Sequence, residues 1–236
     1  MVDVTSKDFF KINGVSSETV GIFVDTPSVP SKAKQRVTAH RTGSDEDLYT
    51  SDKSYDALKY KLIFYTFDKE TFDNTDIYAF FADANTLEIS RLPNYYFRVR
   101  QVEVTAEGKY GGKFVKYTAT FTLAPFKYKT DNEWQTINSG DIVVNSGTTS
   151  CNPLLELTGA SETDFVFNGI VFKLFFPDTG QTVIADSERK IVYDKDTKTL
   201  LYNYSARKFP LLPVGGTQVT WDKPSTVKIL KNERCY

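Results

Sequence analysis

Residues 94–128, NYYFRVRQVEVTAEGKYGGKFVKYTATFTLAPFKY, decide the fold of this protein. In residues 115–123 apolar side chains occupy every odd position: Val115, Tyr117, Ala119, Phe121 and Leu123. Alternation with period two is typical of a strand with one buried and one solvated face. Residues 95–105 alternate as well, and the glycines within residues 107–112 allow the chain to reverse between the two segments. The stretch is therefore predicted to be a β-hairpin.

Two details of the sequence refine this hairpin. The apolar positions of residues 95–105 change from odd to even across Arg100 and Gln101. Such a change predicts a β-bulge, which bends the strand. Pro125 has no amide hydrogen for the ladder, so the second strand is predicted to end at residues 124–126.

The composition of the 236-residue chain is that of a globular, strand-rich protein. It contains 18 Phe and 14 Tyr but one Met, a usage that favours strands over helices. The length is consistent with one large or two small domains. A net charge of −1 creates no strong field for recruiting nucleic acid or an anionic membrane surface.

The same sequence predicts the compartment and the state of the cysteines. No apolar run reaches the roughly 18 residues that a membrane span needs. Charged residues interrupt residues 1–11, which therefore lack the apolar core of a signal peptide. We expect the protein to fold in the cytoplasm. Cys151 and Cys235 form no CxxC motif or metal-ligand pair, and we expect free thiols in a reducing compartment.

The first half of the chain adds short strands and one helix to the hairpin. Residues 9–15 and 20–24 read as two strands joined by a turn at Asn13-Gly14 or Ser16-Ser17, and residues 55–67 as a further strand. Residues 25–44 are polar and contain Pro27 and Pro30, which leaves two interpretations: a mobile loop, or an arm held by a neighbouring subunit.

The spacing of apolar residues changes from the alternation of a strand to that of a helix after residue 67. Apolar residues at helical spacing are Ile77, Phe80, Phe81, Ala84 and Leu87. Residues 73–87 are therefore predicted to form the one substantial helix, with its apolar stripe against the hairpin sheet.

The second half of the chain reads as a separate β-sandwich. Residues 138–150 are rich in Ser, Gly, Asn and Thr, which places a domain boundary near residue 140. The predicted domains are residues 1–140 and 141–236. Strands separated by turn residues are predicted at 154–157, 165–167, 170–176, 182–186, 190–193, 199–202, 217–221 and 226–230. One of the turns falls at residues 177–180.

Residues that could carry chemistry are few. His40 is the sole histidine, which excludes catalytic triads and histidine-rich metal sites. Asp186 and Glu188 form a carboxylate pair that suits a glycosidase or, more commonly, a solvated turn. The acidic group Asp45, Glu46, Asp47 and Asp52 lacks the spacing of an EF-hand. The sequence therefore predicts no catalytic, cofactor-binding or metal-binding residue and no enzyme.

Taken in order, the elements resemble the distal tail proteins (Dit) of long-tailed phages that infect Gram-positive bacteria. The matching segments of the first half are Phe10-Lys11-Ile12-Asn13-Gly14, Gly21-Ile22-Phe23-Val24, Arg41-Thr42-Gly43, Tyr55-Asp56, Asn94-Tyr95-Tyr96-Phe97-Arg98-Val99 and residues 121–128. Those of the second half are Asn152-Pro153 with Gly159, Phe167-Asn168-Gly169, residues 184–188, and Phe209-Pro210-Leu211-Leu212 followed by Gly215-Gly216. Each segment is weak alone, and the resemblance depends on their shared order and spacing.

The resemblance implies a mainly β protein with a ring-forming domain at residues 1–140, containing one helix, and a galectin-like or carbohydrate-module-like β-sandwich at residues 141–236. It also implies a structural virion protein at the phage tail tip or baseplate, assembled in the bacterial host cytoplasm as a homo-hexameric ring. Such a hub joins the tail tube protein to the tail-associated lysin or fibre protein, and DNA passes through its channel without specific binding. In baseplate-bearing phages the outer domain also anchors receptor-binding proteins. No cofactor and no membrane insertion are implied.

An alternative from another functional class is a lectin-like protein that contacts the host cell wall. Aromatic side chains that could stack on a sugar ring are Tyr193, Tyr202, Tyr204, Phe209 and Trp221. At strand positions such residues are usually core residues. The lectin alternative predicts that the sandwich domain binds cell-wall saccharide and loses this affinity when Trp221 or Tyr204 becomes alanine.

Overall fold

The computed structural model describes residues 8–24, 26–40, 48–67, 74–110, 114–202, 204–205 and 208–236. The chain forms two compact units, Met1–Thr130 with Tyr236 and Asp131–Cys235. Both are mainly β, as predicted.

The first unit is built from short strands and one long hairpin. Its strands are β1 (Phe10–Ile12), β2 (Val15–Ser16), β3 (Ile22–Val24), β4 (Gln35–His40), β5 (Leu48–Tyr55), β6 (Leu58–Phe67), β7 (Thr86–Ile89), β8 (Tyr95–Tyr110) and β9 (Phe114–Lys129). A 3-10 helix occupies Ser17–Val20 and the α-helix α1 occupies Asn74–Ala82.

The predicted hairpin, β8 and β9, is the centre of the first unit. β6 pairs antiparallel with the other side of β9, and the sheet order is β2-β1-β7-β8-β9-β6-β3. The register between β8 and β9 shifts between Val99 and Gln101, which confirms the predicted bulge. Asn13 and Gly14 both have positive φ and form the tight turn between β1 and β2.

The prediction that the hairpin ends at residues 124–126 was wrong. β9 continues past Pro125, and its register with β8 moves from Val99↔Leu123 to Phe97↔Lys127. The intervening residues of β9 form a bulge, where the ladder requires no amide hydrogen from proline.

Two further predictions for the first half need correction. The polar stretch 25–44 contains a strand, β4, which pairs with β5 as a separate two-stranded sheet. Residues 41–47 lie outside the described residues. The helix is shorter than predicted, because Leu87 belongs to β7, where it is fully buried and pairs with Phe97.

The helix covers the apolar face of the central sheet, as predicted. The ring centroid of Phe81 in α1 lies 5.4 Å from that of Phe64 in β6 and 6.1 Å from that of Phe121 in β9. Phe10 of β1 stacks on Phe81 at 5.9 Å. These rings are the centre of the core of the first unit.

The second unit is all β in its described residues. Its strands are β10 (Gln135–Ile137), β11 (Ile142–Asn145), β12 (Leu154–Phe167), β13 (Ile170–Asp186), β14 (Ile191–Asp194), β15 (Leu200–Leu201), β16 (Tyr204–Ser205), β17 (Gly215–Trp221), β18 (Thr226–Leu230) and β19 (Arg234–Cys235). β10 pairs with β18, so the second unit starts before the boundary that the sequence suggested near residue 140.

A long hairpin, β12–β13, is shared by two layers of this unit. The first part of β12 pairs with β18 and its last part pairs with β17, which in turn pairs with β11. The side chains between the layers form one core that includes Leu157, Phe165, Phe172 and Val227. This curled antiparallel sheet is consistent with the predicted sandwich-type fold.

The hairpin bends at a bulge instead of dividing into separate strands. The sequence predicted a turn at residues 177–180, but β13 continues through them, and its register moves from Gly159↔Gln181 to Ser161↔Phe176. A Cβ atom on Gly159 would lie 2.8 Å from the Phe176 ring, so any larger residue at this bend would require this buried ring to move.

Candidate functional site

The exposed face of the sheet formed by β6, β9 and β8 is the candidate functional site. Alternate residues of the three strands point away from the α1 side, because successive side chains of a strand lie on opposite faces. We call their central group the polar face, which consists of Lys59, Lys61, Gln101, Glu103, Thr118, Thr120 and Thr122. The threonines of β9 lie between the lysines of β6 and the Gln101 and Glu103 side chains of β8.

Local hydrogen bonds organise the polar face. Lys59 Nζ donates to Thr122 Oγ1 at 2.6 Å, and Gln101 Nε2 donates to Glu103 Oε1 at 2.9 Å. Glu107 lies farther along β8 and accepts hydrogen bonds from Lys116, at 2.6 Å, and from Thr118. The hydrogen bond from Lys116 and that from Thr118 lower the pKa of Glu107, so it stays ionised at neutral pH. The face therefore carries both signs of charge among hydroxyl groups.

An aromatic cluster lies at one end of the same sheet face. The Phe67 ring centroid is 5.1 Å from that of Phe23 and 5.0 Å from that of Phe114. Phe67 is half exposed. The face is thus polar along β9 and aromatic where β6 ends.

The predicted carboxylate pair closes a turn. Asp186 Oδ1 accepts hydrogen bonds from the backbone amides of Glu188 and Arg189, both at 2.9 Å. This arrangement is an Asx turn after β13. Asp186 therefore has a structural role in the second unit.

The side chains of the other acidic candidates and of the histidine are not described by the structure. Asp45, Glu46 and Asp47 lie outside the described residues, and the structure describes only the backbone of Asp52 and His40. In the described part of the chain, no group of three or more His, Cys, Asp or Glu side chains could hold a metal ion.

The predicted sugar-stacking aromatics do not form one platform. Trp221 packs on Phe165 at 6.3 Å, and Phe209 packs on Phe172 at 5.3 Å, so both contribute to the core of the second unit. Tyr193, in β14, lies 5.8 Å from Lys198 Nζ, and Tyr202 is 82% exposed. The side chain of Tyr204 is not described.

Cys151 and Cys235 are free and buried, which confirms the predicted thiols. Burial, with the negative charge of Glu233 nearby, raises the pKa of the Cys151 thiol to about 12. A thiol with such a pKa is protonated at neutral pH and a poor nucleophile.

Neither cysteine is expected to react with a thiol reagent such as DTNB in the native protein at pH 8. The reagent needs a thiolate and access, but the Cys151 thiol is protonated and both side chains are buried. After denaturation in guanidinium chloride, two thiols per chain should react. Rapid labelling of the native protein would contradict the burial of these side chains.

The sequence pattern predicted the solvated face of β9 but not which side chains of the adjacent strands share that face. The threonines at even positions of residues 115–123 already marked that face. The lysines of β6 and Glu103 of β8 join it only through the pairing of three strands, which the sequence pattern does not specify.

No family model matches the sequence, and no curated protein matches it significantly. Among solved structures, the Dit protein of phage SPP1 matches with a TM-score of 0.63 and 17% identity, covering 94% of this chain and 97% of that one. Its structure is described as a paradigm of the hub adsorption apparatus in phages infecting Gram-positive bacteria.

Two baseplate structures of phage P2, in an activated conformation with calcium or strontium, also match. Their TM-scores are 0.54 and 0.56 at 11% identity, and each comparison covers 94% of this chain and 97% of the other. No α-helix in the described residues is long and apolar enough to cross a bilayer. At these identities the likeness establishes the fold, and the predicted resemblance is confirmed at that level: the chain has the fold of the SPP1 Dit protein.

Proposed function

We propose that this protein is a structural virion protein that forms the hub of a phage tail tip or baseplate, without enzymatic activity. The observation that carries the proposal is the fold shared with SPP1 Dit, which extends over 94% of this chain and so includes both units. The baseplate chains of phage P2 share this fold as well.

The proposed assembly is a homo-hexameric ring. In it, the first unit forms the ring domain and the second unit, which begins at Asp131, forms a galectin-like sandwich on the outside. The ring joins the tail tube protein to the tail-associated lysin or fibre protein, and the sandwich is the docking point for receptor-binding proteins where a baseplate has them. Assembly takes place in the bacterial host cytoplasm.

The polar face suits the wall of a channel for DNA. Binding to phosphates depends on a surplus of Lys and Arg side chains. Here the three lysines Lys59, Lys61 and Lys116 are largely offset by Glu103 and Glu107, with Lys116 in an ion pair with Glu107 and threonine hydroxyls between the strands. A wall of this kind would let DNA pass without holding it.

The native mass of the purified protein tests the proposal. A hexamer of 26.8 kDa chains should scatter light as a particle of about 161 kDa, and negative-stain images of the same peak should show rings. A monomer at every concentration would contradict self-association. A monomer that also binds cell-wall polysaccharide would favour the lectin alternative.

A further inference from the structure

The central sheet of the first unit has two open edges. Beyond Val99, β8 pairs with β9 on one side and, within the described residues, with no strand on the other. On the opposite side of the sheet, β3 pairs with β6 only at residues 64–66, so β6 carries no outer strand over residues 58–63 in the described chain. Unpaired edges of this length are sites at which another chain can add.

The two edges have the geometry of a repeating contact. β6 and β8 are both antiparallel to β9, so they run in the same direction within one copy. A copy related by rotation can therefore place its β6 beside β8 in parallel, with both polar faces on the same side. Each contact uses two different edges, so repeating the rotation forms a ring when the rotation closes on itself.

The charges of Lys61 and Glu103, one on each edge, are complementary. Lys61 and Glu103 both pair with Thr120 of β9, so they lie at the same level on opposite edges of the polar face. Lys59 lies one level away on the same edge as Lys61. In the described part of the chain none of the three forms an ion pair, although both edges are exposed. Opposite charges on neighbouring strands stabilise the pairing, and long side chains also reach the diagonal position.

The apolar side of the edges fits the same contact. Val102 and Val104 of β8 are only partly buried against the core, although they face the apolar side. Beside β6 there is an open cavity of about 640 Å³, lined by residues 28–31, Lys59, Tyr60, Lys61 and Thr120. Tyr60 Oη donates to the Ser28 carbonyl at 2.8 Å and so fixes the wall of this cavity. The cavity opens at the edge that carries the lysines, between β6 and residues 28–31 of the same chain.

We propose that the β8 edge of one copy pairs in parallel with the β6 edge of the next, with Glu103 placed against Lys61 and Lys59. The occupant of each edge is a second copy of this chain. The proposal rests on the proposed ring and names the surface that closes it.

Single charge reversals test this interface. Lys61→Glu places two carboxylates together at every contact, and Glu103→Lys places lysines together. Each variant should raise the dissociation constant of every contact about tenfold, because an attractive cross-strand pair becomes repulsive. Rings should therefore form only at higher protein concentration. Lys223→Glu, an exposed lysine in a turn of the second unit, is the matched control and should assemble as the wild type does.

Restoration distinguishes a direct contact from a general loss of stability. The double variant Lys61→Glu/Glu103→Lys should form rings again. An equimolar mixture of the two single variants should also form rings, because alternating copies place unlike charges at every contact when the number of subunits is even. Circular dichroism checks that all variants are folded.

The outcomes separate this proposal from the proposed function. The β6–β8 contact is supported if the wild type forms rings and the single variants assemble less well. The double variant and the mixture must then restore assembly. Wild-type rings whose assembly is unaffected by the reversals, or is never restored, overturn the contact and leave the hub proposal standing. A wild type that never self-associates overturns both.

Discussion

Replacing Phe64 with alanine is expected to destabilise the first unit by about 3–5 kcal/mol, the usual cost of removing a buried aromatic ring. Phe64 has no exposed surface. Its ring stacks on Tyr117 with centroids 5.1 Å apart and an interplanar angle of 5°, and it contacts Phe81 and Phe10 at 5.4 and 6.3 Å. Alanine would leave a cavity between the central sheet and α1.

The matched control is Phe67→Ala, in the same strand. Phe67 is half exposed, so its removal should cost about 1 kcal/mol or less. Urea titrations followed by circular dichroism measure both changes, and hydrogen exchange of the β9 amides assigns them to the first unit. Trp134 and Trp221 both belong to the second unit, so their fluorescence follows the unfolding of that unit separately. Equal losses for the two variants would contradict the central position of Phe64.

The hairpin of the first unit could be predicted because its information is local. Strict alternation, the glycines near residue 110 and the parity change at Arg100 each act within a few residues. The continuation past Pro125 could not be predicted, because it depends on a bulge whose position is set by the pairing with β8. The strand β4 was missed for the same kind of reason, since its residues are polar and its partner is β5.

The end of the helix illustrates a competition between two patterns. Leu87 continues the helical spacing of Ile77 and Phe81, yet it lies in β7, where pairing with Phe97 buries it completely. Tertiary pairing overrides local periodicity at such positions. In the second unit, Gly180 has positive φ, as turn chemistry requires, but it lies in a bulge of β13.

The candidate functional site was only partly readable from the sequence. The alternating threonines of β9 predicted a solvated face. The open edges, in contrast, depend on how far β3 extends along β6 and how far β7 extends along β8. The complementary positions of Lys61 and Glu103 follow from the registers of two strands against Thr120. Such information is three-dimensional and has no counterpart in the spacing of residues along the chain.

A large effect is also expected in the second unit, when Asn145 is replaced by alanine. Asn145 is 1% exposed, and its amide nitrogen donates to the carbonyls of Thr149 and Leu212, both at 3.0 Å. Its Oδ1 atom accepts from the Gly147 amide at 2.9 Å. Alanine removes all three hydrogen bonds and leaves buried backbone groups without them, so we expect a loss of about 2–4 kcal/mol.

The chemistry of the side chain explains why no simple replacement should restore stability at this position. Asn145→Asp keeps the shape and the acceptor, but an ionised carboxylate cannot donate to the two carbonyls and would be buried, so this variant should be at least as unstable. Asn138→Ala, at an exposed position, should cost less than about 0.5 kcal/mol. Urea titration by tryptophan fluorescence compares the three variants in the second unit. If Asn145→Ala unfolds at the same urea concentration as Asn138→Ala, this network does not hold the second unit together.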